Sequence, residues 1–262
     1  MLNRMERTVQ QAAFELLTSL PETEQTTAHG TPVFKVFGKT YAYWAVNHHG
    51  DGRLAIWLGT TPEQQTVLVA DDPERFFVPP YVGVKGYVGI DLAKDPPWGL
   101  VSDLVHTAWR NHAPARLRDL DPGVPEISPP ESDIRPEDIN PLLGARPQKI
   151  LRGLAERCRR YPETVAEDPV ASATWRAGKR PFIRGRFADG HLHLMFLVGV
   201  EQQSFMLDDP RYAAPPYYGP SGWVELDVQD RISWDEVDVL IETAYRQVAL
   251  KRMLKALDAQ SS

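Results

Sequence analysis

The feature that most constrains this chain is that it repeats itself. PPYVGVKGYVGIDL at residues 79–92 returns as PPYYGPSGWVELDV at 215–228, and an internal repeat has to be resolved before any local reading of the fold. A displacement of about 140 residues brings further pairs into line, in the same order. LPET at 20–23 meets YPET at 161–164, GK at 38–39 meets GK at 178–179, and EQQ at 63–65 meets EQQ at 201–203. DDP at 71–73 then meets DDP at 208–210, Asp91 meets Asp227, and VSDLVHTAWR at 101–110 meets VDVLIETAYR at 237–246. With 262 residues there is room for two domains of ordinary size, so the chain reads as tandem copies of one domain, 1–112 and 148–262. The intervening 113–147 holds 8 of the 23 prolines and no sustained apolar period, which predicts an extended linker.

Each copy reads as helix, three strands, helix, two strands, helix. Val9, Ala13, Leu16, Leu17 and Leu20 mark one face of a first helix ending at Pro21. Strand-like runs follow at 33–37, 41–46 and 53–58, then a short helix capped by Thr61 with Pro62 at its first position. ERFFV and GYVGIDL supply two more strands. In the closing helix Val101, Leu104, Val105, Ala108 and Trp109 share a face, as Val237, Leu240, Ile241, Ala244 and Tyr245 do behind a Ser233-x-x-Glu236 capping box.

Composition removes several function classes. No run approaches the roughly 18 to 20 apolar residues of a membrane span, and MLNRMERTVQQAAFELL has no signal-peptide pattern. A single cysteine excludes an internal disulfide framework and fits a reducing, cytoplasmic setting. The net charge of −6 argues against a protein whose whole surface grips nucleic acid. No G-x-S-x-G, P-loop or dinucleotide motif is present, so no enzymatic mechanism, cofactor or metal site is nominated.

HGTPVFKVFGKTYA at 29–42, the DDP, the PPYVG-x-x-GYVGIDL segment and the amphipathic last helix together resemble the MmcQ/YjbR family. The likeness covers 8–112 and, more loosely, 150–257; its most specific part is the GY/GW-V-x-L-D segment behind PPY. The resemblance implies an α+β fold of the secretion-chaperone-like type, with a curved antiparallel sheet backed by helices. It also implies DNA binding through a double-wing surface, and it brings neither enzymatic activity nor a cofactor. Two copies in one chain depart from the family's usual single domain.

Within the repeated phrase, Tyr81, Gly83, Gly86 and Asp91 match Tyr217, Gly219, Gly222 and Asp227. A structural reading has the prolines stiffen a hairpin, the glycines admit unusual backbone angles, and the tyrosines cover a sheet edge. A functional reading makes the hairpin a wing with Lys85 at its tip; the second copy has Pro220 and Ser221 there. The pairs Asp71–Asp72 and Asp208–Asp209 read as turn residues. Cys158 aligns with the inward Leu17, as a small core hydrophobe. His191 and His193 share a strand face, a spacing that could hold zinc, but no motif places a third ligand and the first copy offers Arg53 opposite His193. They and His48–His49 are read as solvated.

Charge is polarised in the second copy: residues 148–186 carry +6 and the rest of that copy −6. WRAGKRPFIRGRF sets Arg176, Lys179, Arg180, Arg184 and Arg186 among aromatic residues, a pattern that suits a nucleic-acid surface. Solvated arginines balancing the acidic half are the alternative. The sequence thus describes a cytoplasmic, bacterial, non-enzymatic binding protein. DNA is its leading partner, and a small molecule or another protein the alternative.

Overall fold

The computed structural model describes residues 6–28, 30–166, 173–188, 190–228 and 231–260. The chain divides into two compact units, Met1–Ile139 and Asn140–Ser262. The first runs α1 (Val9–Thr18), β1 (Thr23–Ala28), β2 (Thr31–Val36), β3 (Lys39–Val46), β4 (Leu54–Gly59), α2 (Pro62–Asp71), β5 (Phe76–Phe77), β6 (Tyr87–Asp91) and α3 (Trp98–His112). Two single-turn helices, α4 (Ala115–Arg118) and α5 (Pro136–Ile139), complete it. The second repeats the pattern as α6 (Ala145–Cys158), β7 (Thr164–Ala166), β8 (Thr174–Ala177), β9 (Arg180–Ala188), β10 (His191–Leu197), α7 (Val200–Met206), β11 (Tyr212–Ala213), β12 (Trp223–Asp227) and α8 (Trp234–Val248), then adds α9 (Lys251–Gln260).

Each unit is α+β, as expected, with one strand more than the sequence suggested. The sheets are antiparallel, ordered β1-β2-β3-β4-β6-β5 and β7-β8-β9-β10-β12-β11. The added strand β1, TEQTTA, sits at an edge with no buried side chain, and so carries no apolar alternation to read.

Alternation along the inner strands sets one face of each sheet against helices. In the first unit Phe34, Val36, Ala42, Ile56, Leu58, Val88 and Ile90 pack with Ala13, Leu16 and Leu17 of α1 and Val101, Val105, Ala108 and Trp109 of α3. Trp175, Ile183, Leu194, Phe196, Val224 and Leu226 pack likewise with Leu151, Leu154, Val237, Ile241 and Tyr245. Equivalent polar tips close both cores: Trp109 Nε1 donates to Pro21 O at 3.1 Å, and Tyr245 Oη to Pro162 O at 2.9 Å. A buried N–H or O–H needs such a partner. Thr61 caps α2 as expected, and does so in a reciprocal capping box with Gln64. α8 has half of one, because Ser233 accepts from Glu236 N while the Glu236 carboxylate holds Tyr212 and Arg211.

The proline-rich segment divides between the units. Leu117 is buried in the first core, and Ile127, Ile134 and Ile139 pack on it. Trp98 Nε1 donates to Ile127 O at 2.9 Å, and Glu131 N to Arg7 O at 2.8 Å. Residues 113–139 therefore form a strap held by single apolar anchors, which have no period to detect. Leu142 belongs to the second core.

Candidate functional site

The repeated phrase folds the same way in both units. Val82 N bonds Pro80 O at 2.7 Å and Tyr218 N bonds Pro216 O at 2.8 Å, closing three-residue turns centred on Tyr81 (φ 65°) and Tyr217 (φ 64°). Positive φ is costly for a tyrosine. These side chains do not cover a sheet edge: Tyr81 is 72% and Tyr217 89% exposed, so that expectation is corrected. The Tyr81 hydroxyl meets His49 Nε2 at 2.8 Å. Gly83–Lys85 and Gly219–Ser221 then form single 3-10 turns, with Lys85 exposed on the first. A Cβ on Gly219 would stand 3.1 Å from Ala214 Cβ, and one on Gly83 2.4 Å from Val78 Cγ1. Gly86 and Gly222 need glycine twice over. Both have positive φ, and a Cβ would stand 2.8 Å from Pro62 N or 2.6 Å from Gly199 C.

The EQQ repeat belongs to the same device. Gln65 Nε2 donates to Gly83 O (2.8 Å) and Tyr87 O, as Gln203 Nε2 does to Gly219 O (2.8 Å) and Trp223 O (2.7 Å). The phrase is therefore a clamp between a helix and a strand. Asp72 and Asp209 act in turns, accepting from the Arg75 and Arg211 backbone N–H groups and from their guanidinium groups. Cys158 is buried, and burial pushes its thiol up to about 12.

The difference between the units lies on the far face of the sheets, away from α1 and α3 or α6 and α8. In the first unit two cross-strand rows read Tyr43–Trp57–Gly89 and Ala45–Ala55–Asp91. The same rows in the second unit read Arg184–Met195–Glu225 and Arg186–His193–Asp227. The first face is closed by rings. Tyr43 and Trp57 lie 5.9 Å apart, Phe77 covers Gly89, and Arg53 stands 4.2 Å over Phe77. His48 packs at 4.8 Å on Trp57 and is half-buried, so the solvated reading is corrected for His48, while His49 is exposed as expected; burial and the neighbouring His49 lower the His48 pKa.

The second face is a polar network. Arg186 makes two bonds of 2.6 Å to Glu225, and His193 Nδ1 stands 3.0 Å from Glu225 Oε1. Burial disfavours the Glu225 charge, but the His193 and Arg186 hydrogen bonds outweigh it and hold the carboxyl down at about 2. The bond to Glu225 raises the His193 pKa against its burial. His191 Nε2 lies 2.9 Å from Asp227 Oδ2. The solvated reading of His191 and His193 is thus corrected as well: both rings are largely buried and stack with centroids 4.5 Å apart. The ladder also corrects the pairing between copies. Ala55 faces Asp91 as His193 faces Asp227, so Arg53 corresponds to His191. Asp91 is buried, which raises its pKa, and it caps the Leu92–Lys94 turn by accepting from Ala93 N at 3.0 Å.

The five clustered bases separate. Arg176, Arg184 and Arg186 lie on the far face, whereas Lys179 and Arg180 are exposed at the β8–β9 turn, with Arg180 paired to the inward Ala177. Arg176 Nη1 donates to Lys179 O at 3.1 Å. The Arg184 guanidinium stands 5.1 Å over Tyr218, and its buried Nε has no hydrogen-bond partner among the described residues.

The model of the YjbR family matches residues 18–111 and again 159–247. No curated protein matches the chain. Among solved structures it is similar to the crystal structure of Deinococcus radiodurans protein DR2400, which carries a DUF419 domain. The two are 22% identical over 49% of this chain and 97% of that one, with a TM-score of 0.35.

Proposed function

We propose, from the premise that this chain belongs to the YjbR family and carries its domain twice, that it is a binding protein whose ligand face is the far face of the second sheet. The ligand in this reading is a small anion, held through Arg184 with Tyr218 beneath it. One observation carries the reading: the same fold, in the same chain, fills the same rows with Tyr43, Ala45, Ala55, Trp57 and Gly89. Folding does not require Arg184, Arg186, His193 and Glu225 at those positions, and buried polar networks are retained at a cost. The unpaired Arg184 Nε adds a donor with no partner among the described residues. Phosphate backbone fits less well, because Arg186 is engaged by Glu225 and Asp227 lies in the same face.

The test is thermal denaturation of the full chain against phosphate and small carboxylates. A ligand that binds only the native state raises the melting temperature with concentration. The expected result is stabilisation that is lost in Arg184→Gln; equal stabilisation of wild type and variant would overturn the reading. DNA binding is kept as a second reading by one observation, the exposure of Lys179 and Arg180 side by side at the β8–β9 turn.

A further inference from the structure

The far face of the second sheet holds a second constellation beside Arg184. We propose that His191, His193 and Asp227 bind a divalent first-row transition ion of the zinc type, a proposal that rests on the ligand-face reading of this sheet. One nitrogen of each imidazole and one Asp227 oxygen lie within 4.8 Å of one another. Zinc ligands at 2.0–2.1 Å from a tetrahedral ion stand about 3.3 Å apart. Asp227, whose side chain is 48% exposed, can close that difference by a side-chain rotation.

His193 supplies the independent observation. Its side chain is nine-tenths buried, and Nε2 has no hydrogen-bond partner among the described residues. Nδ1 faces Glu225 at 3.0 Å, and Glu225 is itself held by both arms of Arg186. A carboxylate that accepts a hydrogen bond from the N–H of one imidazole nitrogen leaves the lone pair of the other directed at a metal, the usual arrangement around metal-bound histidine. A buried acceptor without a partner is otherwise costly. Two imidazoles and one carboxylate suit zinc and its neighbours, whereas calcium and magnesium favour all-oxygen sets.

The first unit argues that the constellation is not a by-product of the fold. It keeps the aspartate as Asp91 but has Ala55 in place of His193 and Arg53 in place of His191. Three protein ligands leave a fourth tetrahedral position open for an anion.

The full chain, stripped with a chelator and dialysed, is titrated with zinc chloride by calorimetry and with cobalt(II) by visible absorption. The expected result is saturable uptake of one ion with a cobalt d–d spectrum. His191→Ala and Asp227→Asn, both on partly exposed side chains, abolish the spectrum, and His48→Ala/His49→Ala leaves it unchanged. Glu225→Gln keeps the ligands and weakens zinc binding about 10-fold or more, as loss of an outer-shell partner does. Absence of saturable uptake, or wild-type affinity retained in His191→Ala and Asp227→Asn, overturns the metal site. If uptake is absent while phosphate or a carboxylate still stabilises the chain through Arg184, the metal proposal falls and the ligand face stands. If uptake occurs without such stabilisation, the reverse holds.

Discussion

Replacing Arg186, His193 and Glu225 together should cost much less than replacing Arg186 alone. Arg186→Ala leaves the Glu225 carboxylate, 6% exposed, with His193 as its remaining hydrogen-bond partner. Deleting one partner of a buried pair costs about 3–5 kcal/mol. Arg186 is 34% exposed, so water reaches the site and the cost falls to about 2 kcal/mol. Arg186→Met/His193→Leu/Glu225→Leu removes every charge of the group at once and keeps its volume apolar, as the rings of the first unit's face do. Replacing a whole buried network by apolar residues of similar volume is often near neutral, so the triple variant should lie within about 1 kcal/mol of wild type. Urea unfolding of the full chain, with peptide-resolved hydrogen exchange assigning the transition to β9 and β12, measures both. The same assay at low pH carries a sign. The Glu225 carboxyl is lowered from 4.5 to about 2 in the fold, so its stabilisation is complete above about 4.5 and lost as the pH falls towards 2. The triple variant should lack that acid-side loss. A triple variant whose cost equals the sum of its singles would refute the reasoning, since the network would then be a pillar of the fold.

Gln203→Ala strands the Gly219 and Trp223 carbonyls and should cost about 2–3 kcal/mol, more than Gln65→Ala, because Gln203 is buried and Gln65 partly exposed; thermal melts compare the two. Gly86→Ala and Gly222→Ala should each cost upwards of about 2 kcal/mol, for positive φ and for a Cβ set against backbone. Gly99→Ala in α3, where a Cβ meets nothing within 4 Å, should be neutral or stabilising. A fragment ending at residue 139 should melt above one ending at 112, because Leu117, Ile127 and Ile134 pack on the first core; circular dichroism of both fragments checks this.

The duplication and the α+β class were legible because they rest on order and periodicity, which identity and apolar spacing carry directly. What failed was register. Matching GK to GK places the copies one residue off in β8–β9, where the ladder equates Tyr43 with Arg184 through Val33 and Thr174. Fewer residues between β9 and β10 than between β3 and β4 then shift the match the other way, which set Arg53 against His193. Since side chains alternate along a strand, such slips decide which residues share a face. The third partner of the histidines stands in the sequence as Asp227, but only strand pairing brings it opposite His193. The five bases were legible as a cluster, yet the bulge between Trp175 and Arg176 and the bond of Arg186 to Glu225 left no mark in the sequence.

The most direct test of the ligand-face reading is the salt dependence of binding to short single- and double-stranded DNA, measured on the full chain and on Arg184→Gln/Arg186→Gln. If the two arginines met phosphates, with Arg176 as a third contact, log affinity against log salt would fall with a slope of about −2 to −3. The expected result is that any binding keeps the same slope in wild type and variant, because Arg186 is held by Glu225 and Arg184 lies over the Tyr218 ring. A slope that flattens by about 2 in the variant would contradict the account and return the far face to nucleic acid.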